Sequence, residues 1–245
     1  NLYLRPNVLA NFNYIQPQQL YREQDVQNTY TSMGRLRALK YTNINFSEVN
    51  QNDSTQLDAN ILMTKGKNQS LSFEIEGTNS AGDLGAAAAL SFQHRNLFKG
   101  SELFSLRLRG AFEAVSGLQT TYRDDGYTEI GVEASLNFPR FIFPFLSSDY
   151  RKKIRATTEL NIQYNYQFRP EFTRIVASAG WGYRWGLKQQ YSQHRIDLVD
   201  INYLYMPWIS ADFKNKYLQE NKENYILKYN YEDRLIVRTG YSFTF

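Results

Sequence analysis

The sequence offers two places where a serine nucleophile could meet a histidine. His94 and His194 are the only histidines, and Ser91 and Ser192 lie close to them in the chain. A serine whose proton is taken by a histidine performs acyl transfer, provided that a third group orients the histidine. Both histidines stand beside predicted turns, so the simpler interpretation is that they are interfacial side chains. We predict that the protein is not an enzyme, with a lipase-like activity as a minor alternative.

Other candidate ligand sites are weaker. Asp124, Asp125 and Glu129 supply carboxylates, but a calcium loop needs more oxygen ligands at defined spacing. The run GTNSAGDLG (residues 77–85) lacks the spacing of a phosphate-binding loop and lies between predicted strands. The chain has no cysteine, which excludes a disulfide framework or a thiolate metal site. We therefore expect no metal ion and no cofactor.

The charge pattern argues against a nucleic-acid partner. The net charge of +4 arises from 28 basic and 24 acidic residues that are scattered along the chain without a block of five like charges. Aromatic residues are abundant, with 19 Tyr among 245 residues. Tyr and Trp suit membrane interfaces, where the ring lies in acyl chains and the polar tip stays wet. No stretch of about 18 apolar residues occurs, which excludes a transmembrane helix.

From residue 70 onward, apolar and polar residues alternate. In the clearest case, residues 154–169, every second residue from Ile154 to Phe168 falls on one largely apolar face and the others are polar. This run exceeds the usual length of about 3–10 residues for a soluble strand, whereas about 9–11 residues of tilted strand cross a bilayer. The same pattern recurs at residues 104–114, 130–138 and 175–185.

One face of these strands is apolar and tipped with aromatic rings, and the other carries charges and glycines. This combination is typical of a transmembrane β-barrel, with a soluble β-sandwich as the alternative. We predict a mainly β fold with seven or eight antiparallel strands between residues 70 and 245, joined as a meander. Short turns are expected at residues 77–83, 96–101 and 169–172, and larger loops at residues 116–127, 140–153 and 207–225.

Residues 1–67 follow a different pattern. Pro6 in a first turn predicts a short helix, and a second helix and two alternating strands follow. The predicted elements are helices over residues 5–12 and 22–36 and strands over residues 41–46 and 56–63, with a polar turn at residues 50–54. This order predicts a small α+β module over residues 1–67, followed by the barrel over residues 68–245. A two-stranded hairpin is marginal alone, so we expect the module to be incomplete at its N-terminus.

The last residues, RTGYSFTF (238–245), look like the closing strand of an outer-membrane barrel. Eight strands are enough to close a barrel. The short linker KGKNQ (residues 65–69) and the incomplete module instead favour a chain that covers about half of a larger barrel. RTGYSFTF is then predicted to be an internal strand.

Several segments resemble the BamA/TamA family of outer-membrane assembly factors, most closely its TamA-like outer-membrane lipoprotein members. They are LYREQDVQNTYTSMGRLRALKYTNINFSEV (20–49), LDANILMTKGKNQSLSFEIEGTNSAGDLG (57–85), SFQHRNLFKGSELFSLRLRGAFEA (91–114), LNFPRFIFPF (136–145), KIRATTEL (153–160) and YNYQFRPEFTR (164–174). The resemblance implies that residues 1–67 are the last POTRA domain and that the barrel of the whole protein has sixteen strands. The family's Arg-Gly loop motif, in the C-terminal half of that barrel, has no good match here.

The first barrel strand, SLSFEIEG (70–77), is the segment from which we predict function. Its outward residues are Leu71, Phe73 and Ile75, and its inward residues are Ser70, Ser72, Glu74 and Glu76. If the barrel closes from first to last strand, this strand is one side of the seam. An open seam offers unpaired main-chain N–H and C=O groups to which a client strand can add. We predict a factor that inserts, assembles or exports client proteins through this seam, with a passive channel or structural barrel as the alternative.

The predicted location is the outer membrane of a Gram-negative bacterium, with residues 1–67 in the periplasm. Expected partners are outer-membrane lipids, unfolded outer-membrane client proteins, and periplasmic or inner-membrane accessory proteins. Within the module, the helix at residues 22–36 and the strand edge bearing Tyr41, Asn43 and Asn45 are candidate surfaces for such a partner.

Overall fold

The structure, a computed structural model, describes residues 2–51, 54–80, 83–114, 126–142, 156–187, 192–215 and 229–245. Its helices are α1 (Pro6–Phe12), α2 (Glu23–Met33) and the short α3 (Ala211–Phe213). Its strands are β1 (Leu39–Gln51), β2 (Ser54–Lys65), β3 (Gln69–Ser80), β4 (Asp83–His94), β5 (Leu103–Ala114), β6 (Gly126–Phe138), β7 (Thr157–Phe168), β8 (Phe172–Leu187), β9 (Ser192–Ile209) and β10 (Arg234–Thr244). None of the helices in these ranges combines the length and the apolar character needed to cross a membrane.

Strands β3 to β10 form one antiparallel sheet of eight strands in chain order. The predicted meander is therefore confirmed. Its strands run from 11 residues in β10 to 18 in β9, which is long enough to cross a bilayer at a tilt. Within the described ranges, β3 pairs only with β4 and β10 only with β9. The sheet is open, so these residues do not close an eight-stranded barrel.

Several strands extend into segments predicted as turns or loops; β6 begins at Gly126 and β9 continues to Ile209. The turn expected at residues 77–83 is much shorter, because β3 continues to Ser80 and β4 begins at Asp83. The long alternating segment corresponds to β7, which begins at Thr157; Ile154 and Arg155 lie outside the described residues. Most of the three larger loops also lies outside them.

The N-terminal residues contain both predicted helices and both predicted strands. Strands β1 and β2 form a separate two-stranded antiparallel sheet. Helix α2 ends at Met33, three residues earlier than predicted. Gly34 follows as its C-cap, and the Gly34 N–H closes the last turn by donating to the Tyr30 carbonyl oxygen at 2.9 Å. The helices and the chain around them enclose a small apolar core of Leu4, Val8, Phe12, Met33, Leu36 and Ala38.

The turn at residues 96–102, between β4 and β5, attaches the sheet to this core. Ser101 is fully buried, and its hydroxyl oxygen accepts a hydrogen bond from the Ala38 N–H at 2.8 Å. The Asn96 side-chain amide donates to the Tyr3 carbonyl oxygen at 2.8 Å. The Tyr3 hydroxyl donates to the Ala38 carbonyl oxygen at 3.0 Å, and burial raises the pKa of Tyr3, so the donor stays protonated.

The same turn is held from inside by a buried carboxylate. Glu102 accepts hydrogen bonds from the N–H groups of Phe98 at 3.1 Å and Gly100 at 3.0 Å. A Cβ at Gly100 would lie 2.1 Å from a Glu102 carboxylate oxygen, so the turn requires glycine there. The run NLFKGSE therefore attaches the eight-stranded sheet to the N-terminal core, which is more than the short turn that its sequence predicts.

We expect the change Ser101→Ala to loosen this attachment. It leaves the buried Ala38 N–H without its acceptor, which costs about 1–3 kcal/mol. Hydrogen exchange at the Ala38 amide in the full-length protein should accelerate accordingly. The change Ser105→Ala, on the half-buried inner face of β5, is the matched control and should leave that rate unaltered. Unchanged exchange in both variants would show that the Ser101 hydrogen bond does not hold the turn.

Candidate functional site

The sheet has one apolar and one polar face. Directly opposed residues of antiparallel strands lie on the same face, so rows across the sheet can be followed through the register. One row across all eight strands is Leu71, Phe92, Leu106, Ala134, Ile162, Ala179, Ile201 and Val237. The next is Ser72, Ser91, Arg107, Glu133, Gln163, Ser178, Asn202 and Ile236. The first row is wholly apolar, and the second is polar except at β10.

The apolar face is open to its surroundings. Leu71, Ile162 and Val237 expose 68%, 64% and 62% of their surface. In water, an apolar area running across eight strands would drive aggregation, whereas in a bilayer it is solvated by acyl chains. The face therefore has the character of a lipid-facing barrel wall.

Aromatic rings border this face at both ends of the strands. At one end, Trp185 stacks on His194 with ring centroids 5.2 Å apart, and the Tyr241 hydroxyl lies 2.7 Å from His194 Nδ1. At the other end, Tyr203 and Tyr205 stack on each other. Eleven residues of strand separate His194 from Tyr205, which is roughly 36 Å along β9 or roughly 26–30 Å along the normal of a tilted barrel. This spacing fits two interfacial belts around an apolar band of about 25 Å.

The structure does not bring Ser91 and His94 together. Ser91 and His94 are three residues apart on β4 and therefore lie on opposite faces of the sheet. Ser91 faces Ser72 and Arg107, whereas His94 accepts a hydrogen bond from the Asn96 N–H at 3.3 Å. Near Ser192, the Nδ1 atom of His194 is engaged by Tyr241, as described above.

Of the acidic residues considered for calcium, Glu129 alone lies within the described ranges. Asp124 and Asp125 lie outside the described residues. Glu129 lies on the inner face, where Asn165 donates to it at 2.6 Å and Arg109 forms an ion pair with it at 3.6 Å. Within the described ranges, no group of three acidic or histidine residues is placed to hold a metal ion.

The predicted pairing edge lies at one margin of the sheet. We call the side of β3 that faces away from β4 the β3 edge. Of the predicted site residues, Leu71, Phe73 and Ile75 lie on the apolar face and are 64–74% exposed. The inward residues of β3 lie directly opposite residues of β4: Ser70 opposite Gln93, Ser72 opposite Ser91, Glu74 opposite Ala89 and Glu76 opposite Ala87. The predicted alternation of β3 is therefore present in the fold, and one side of the strand has no neighbour among the described residues.

Strand β3 is also joined to β5, its second neighbour. Three side-chain pairs cross over the intervening β4: Glu74 with Arg107 at 2.9 Å, Glu76 with Arg109 at 3.6 Å, and Thr78 with Glu113 at 3.2 Å. The charged side chains are 36–53% exposed, so each ion pair contributes about 0–1 kcal/mol. Their main effect is to neutralise the inner face of β3 and to orient its side chains.

Side chains of β3 and β5 can meet across β4 because the inward side chains of β4 are small. Its inward residues are Gly85, Ala87, Ala89 and Ser91. At Gly85 a Cβ would lie 2.4 Å from the Glu113 side chain and 2.5 Å from the Thr78 hydroxyl, so a larger residue would break that pair. The small residues of the run GAAAALS are visible in the sequence. Their role in letting side chains of β3 and β5 meet can be inferred only when the strands that flank β4 are known.

In the N-terminal module, Tyr41, Asn43 and Asn45 are exposed on β1. β1 pairs only with β2 within the described ranges. The Tyr30 hydroxyl of α2 engages the main chain of Ile44 between them, accepting from its N–H at 2.9 Å. Part of this strand edge is therefore already covered by the chain itself, while the three predicted side chains remain accessible.

No protein-family model and no curated protein matches the chain. Among solved structures, it is similar to the crystal structure of BamA from Haemophilus ducreyi lacking POTRA domains 1–3, with a TM-score of 0.52 and 14% sequence identity. The match covers 98% of this chain and 41% of that structure.

The described strands thus form a partial antiparallel β-barrel. In its fold, this partial barrel resembles the barrel of BamA. At this identity the likeness concerns the fold, and the chain spans less than half of the similar structure. The predicted fold class is confirmed at this level. The closer resemblance to TamA-like lipoproteins and the POTRA-like nature of residues 1–67 stay predictions.

Proposed function

We propose that this chain belongs to an outer-membrane factor that assembles or translocates client proteins, and that a client strand adds to the β3 edge. The observation that carries the proposal is that β3, a strand of membrane-crossing length, pairs with β4 on one side and with no described strand on the other. The BamA-like fold and the apolar face of the sheet support a location in the outer membrane of a Gram-negative bacterium. Residues 1–67 then lie in the periplasm.

The energetic argument concerns main-chain groups in hydrocarbon. Each unpaired N–H or C=O there costs several kcal/mol, so an edge inside a bilayer must be paired. If a closing strand pairs with β3 at rest, a client strand can replace it while the number of hydrogen bonds stays nearly constant. Such an exchange needs no cofactor and no catalytic side chain. The client's apolar side chains would enter lipid beside Leu71, Phe73 and Ile75.

The inner face of the edge suits many clients. Glu74 and Glu76 are paired with Arg107 and Arg109, so they present little net charge to the inward side chains of an added strand. Ser70 and Ser72 are small and polar. We infer that main-chain pairing supplies most of the affinity, which leaves client sequence largely unrestricted beyond its alternation.

Photo-crosslinking tests the proposal directly. A photoreactive residue at Ser72 of the full-length protein should capture a client during its assembly, because this position lies on the β3 edge. The same residue at Ser91, which faces Ser72 on β4, should capture little, because β4 is paired on both sides. Equal capture at both positions, or none at Ser72 while clients assemble, would contradict client pairing and favour a passive channel or structural barrel.

Periplasmic or inner-membrane accessory proteins are proposed partners of the N-terminal module. The exposed Tyr41, Asn43 and Asn45 support this assignment, because they form an accessible polar row on a strand that pairs only with β2 among the described residues. Outer-membrane lipids are the proposed partners of the apolar sheet face.

A further inference from the structure

An open apolar crevice of about 500 Å³ lies where the turn at residues 96–102 meets the N-terminal residues. Its lining is apolar except for two cations, and consists of Leu2, Leu4, Pro6, Leu97 and Phe98 with Arg5 and Lys99. Leu97 and Phe98 are 41% and 47% exposed and Leu2 is 67% exposed. The crevice has the size of a small-ligand site but is not enclosed.

The two cations are held next to each other by the backbone. The Arg5 N–H donates to the Lys99 carbonyl oxygen at 2.9 Å, which fixes both residues at the same margin of the crevice. Both side chains are exposed, and no ion pair to either occurs among the described residues. The carboxylate closest in sequence, Glu102, is buried and turned toward the N–H groups of the turn. The crevice therefore combines apolar walls with uncompensated positive charge.

The position of the crevice connects it to the lipid-facing sheet. Leu97 and Phe98 lie in the turn at the end of β4, close to the apolar row formed by Leu71, Phe92 and Leu106. Only one further outward pair, His94 and Phe104, separates this row from the turn. An amphiphile in the crevice would therefore be continuous with lipid along the outer face of β4 and β5. A soluble anion would match the charges but would leave the apolar walls in water.

We infer that this crevice binds an anionic phospholipid of the periplasmic leaflet, with the phosphate at Arg5 and Lys99 and acyl chain carbons against Leu97 and Phe98. The inference rests on the proposed membrane location. A basic pair near a membrane surface attracts anionic headgroups, and apolar side chains beside it insert at the headgroup boundary. Bound lipid would hold the turn, and through Ser101 the N-terminal core, against the membrane.

Tryptophan quenching by brominated lipids tests this in the full-length protein. Trp181, Trp185 and Trp208, together with any tryptophan outside this sequence, are changed to Phe and the change Phe98→Trp is added, so that one indole reports from the crevice. The vesicles contain phosphatidylglycerol and phosphatidylcholine, with bromine on the acyl chains of one lipid at a time. A parallel variant keeps Trp181 alone, on the outer face of β8, as a reporter of barrel insertion.

We expect the indole at position 98 to be quenched more strongly by brominated phosphatidylglycerol than by brominated phosphatidylcholine. The added changes Arg5→Gln and Lys99→Gln should reduce this preference roughly tenfold or more. Charge removal at Arg37 and Lys40, exposed cations of the module away from the crevice, is the control and should preserve it. Trp181 should be quenched by both lipids alike in every variant.

Two results would overturn the inference. If Trp181 is quenched but the indole at position 98 is not, the barrel is in the membrane and the crevice is not in lipid. If position 98 is quenched equally by both lipids, the cations do not select an anionic headgroup. Absence of quenching at Trp181 itself would instead overturn the membrane location, and with it the proposed function.

Discussion

Locking the β3 edge should abolish client assembly. In the full-length protein, the change Ser72→Cys is combined with a cysteine at the facing position of the strand that closes the barrel. The 245 residues of this sequence contain no cysteine that could form a disulfide with the introduced pair. When the disulfide forms, a client strand can no longer replace the closing strand, because the main-chain groups of β3 stay occupied. Activity should fall to background on oxidation and return on reduction.

The control uses the same cysteine with a different partner. The changes Ser72→Cys and Ser91→Cys join β3 to β4, which are already directly opposed. This internal disulfide leaves the β3 edge free, so oxidation should leave assembly close to its reduced level. Full activity with the first crosslink demonstrably formed would eliminate strand exchange at this edge. Loss of activity in both oxidised variants would indicate that any stiffening of β3 is harmful, which also contradicts an edge-specific mechanism.

The change Ile162→Arg should be the most destabilising single substitution considered for the sheet. Ile162 lies in the middle of β7 on the apolar face, between Ala134 and Ala179, and is 64% exposed. A guanidinium at the bilayer midplane costs about 2–4 kcal/mol. Reversible urea unfolding of the full-length protein in lipid vesicles should show this loss in the free energy of unfolding.

The neighbouring change Gln163→Arg is the matched control. Gln163 points to the inner face, opposite Glu133 and Ser178, where water and a carboxylate can accommodate the added cation. Its effect should be within about 0.5 kcal/mol of zero. Equal losses at the two positions would mean that the faces of β7 are wrongly assigned.

Alternation along the chain was enough to predict the sheet. A strand repeats its orientation every two residues, so side-chain polarity alone assigns the residues of β5, β6, β7 and β8 to two faces. The inward and outward residues of β3 could be assigned in the same way. The helices and strands of the N-terminal module were also predictable, because their periodicity and Pro6 are local signals. The ends of the strands were harder to predict. Strand β3 extends into the predicted turn at residues 77–83, where Thr78 pairs with Gly85 of β4.

The contacts between distant residues could not be predicted from the sequence. They depend on the register of strand pairing, which brings together residues that no local pattern relates. The alanines of β4 acquire their role only when the register places Glu74 opposite Ala89 and Arg107 opposite Ser91, so that the Glu74–Arg107 ion pair crosses over β4. The run at residues 96–102 reads as an ordinary turn until Ser101 meets Ala38, 63 residues away. The sequence by itself determined which face of β3, β5, β6, β7 and β8 is apolar, since polarity is carried by each residue. Only the tertiary structure decided which side chains meet across β4 and how the sheet is attached to the N-terminal core, since both depend on contacts between distant segments.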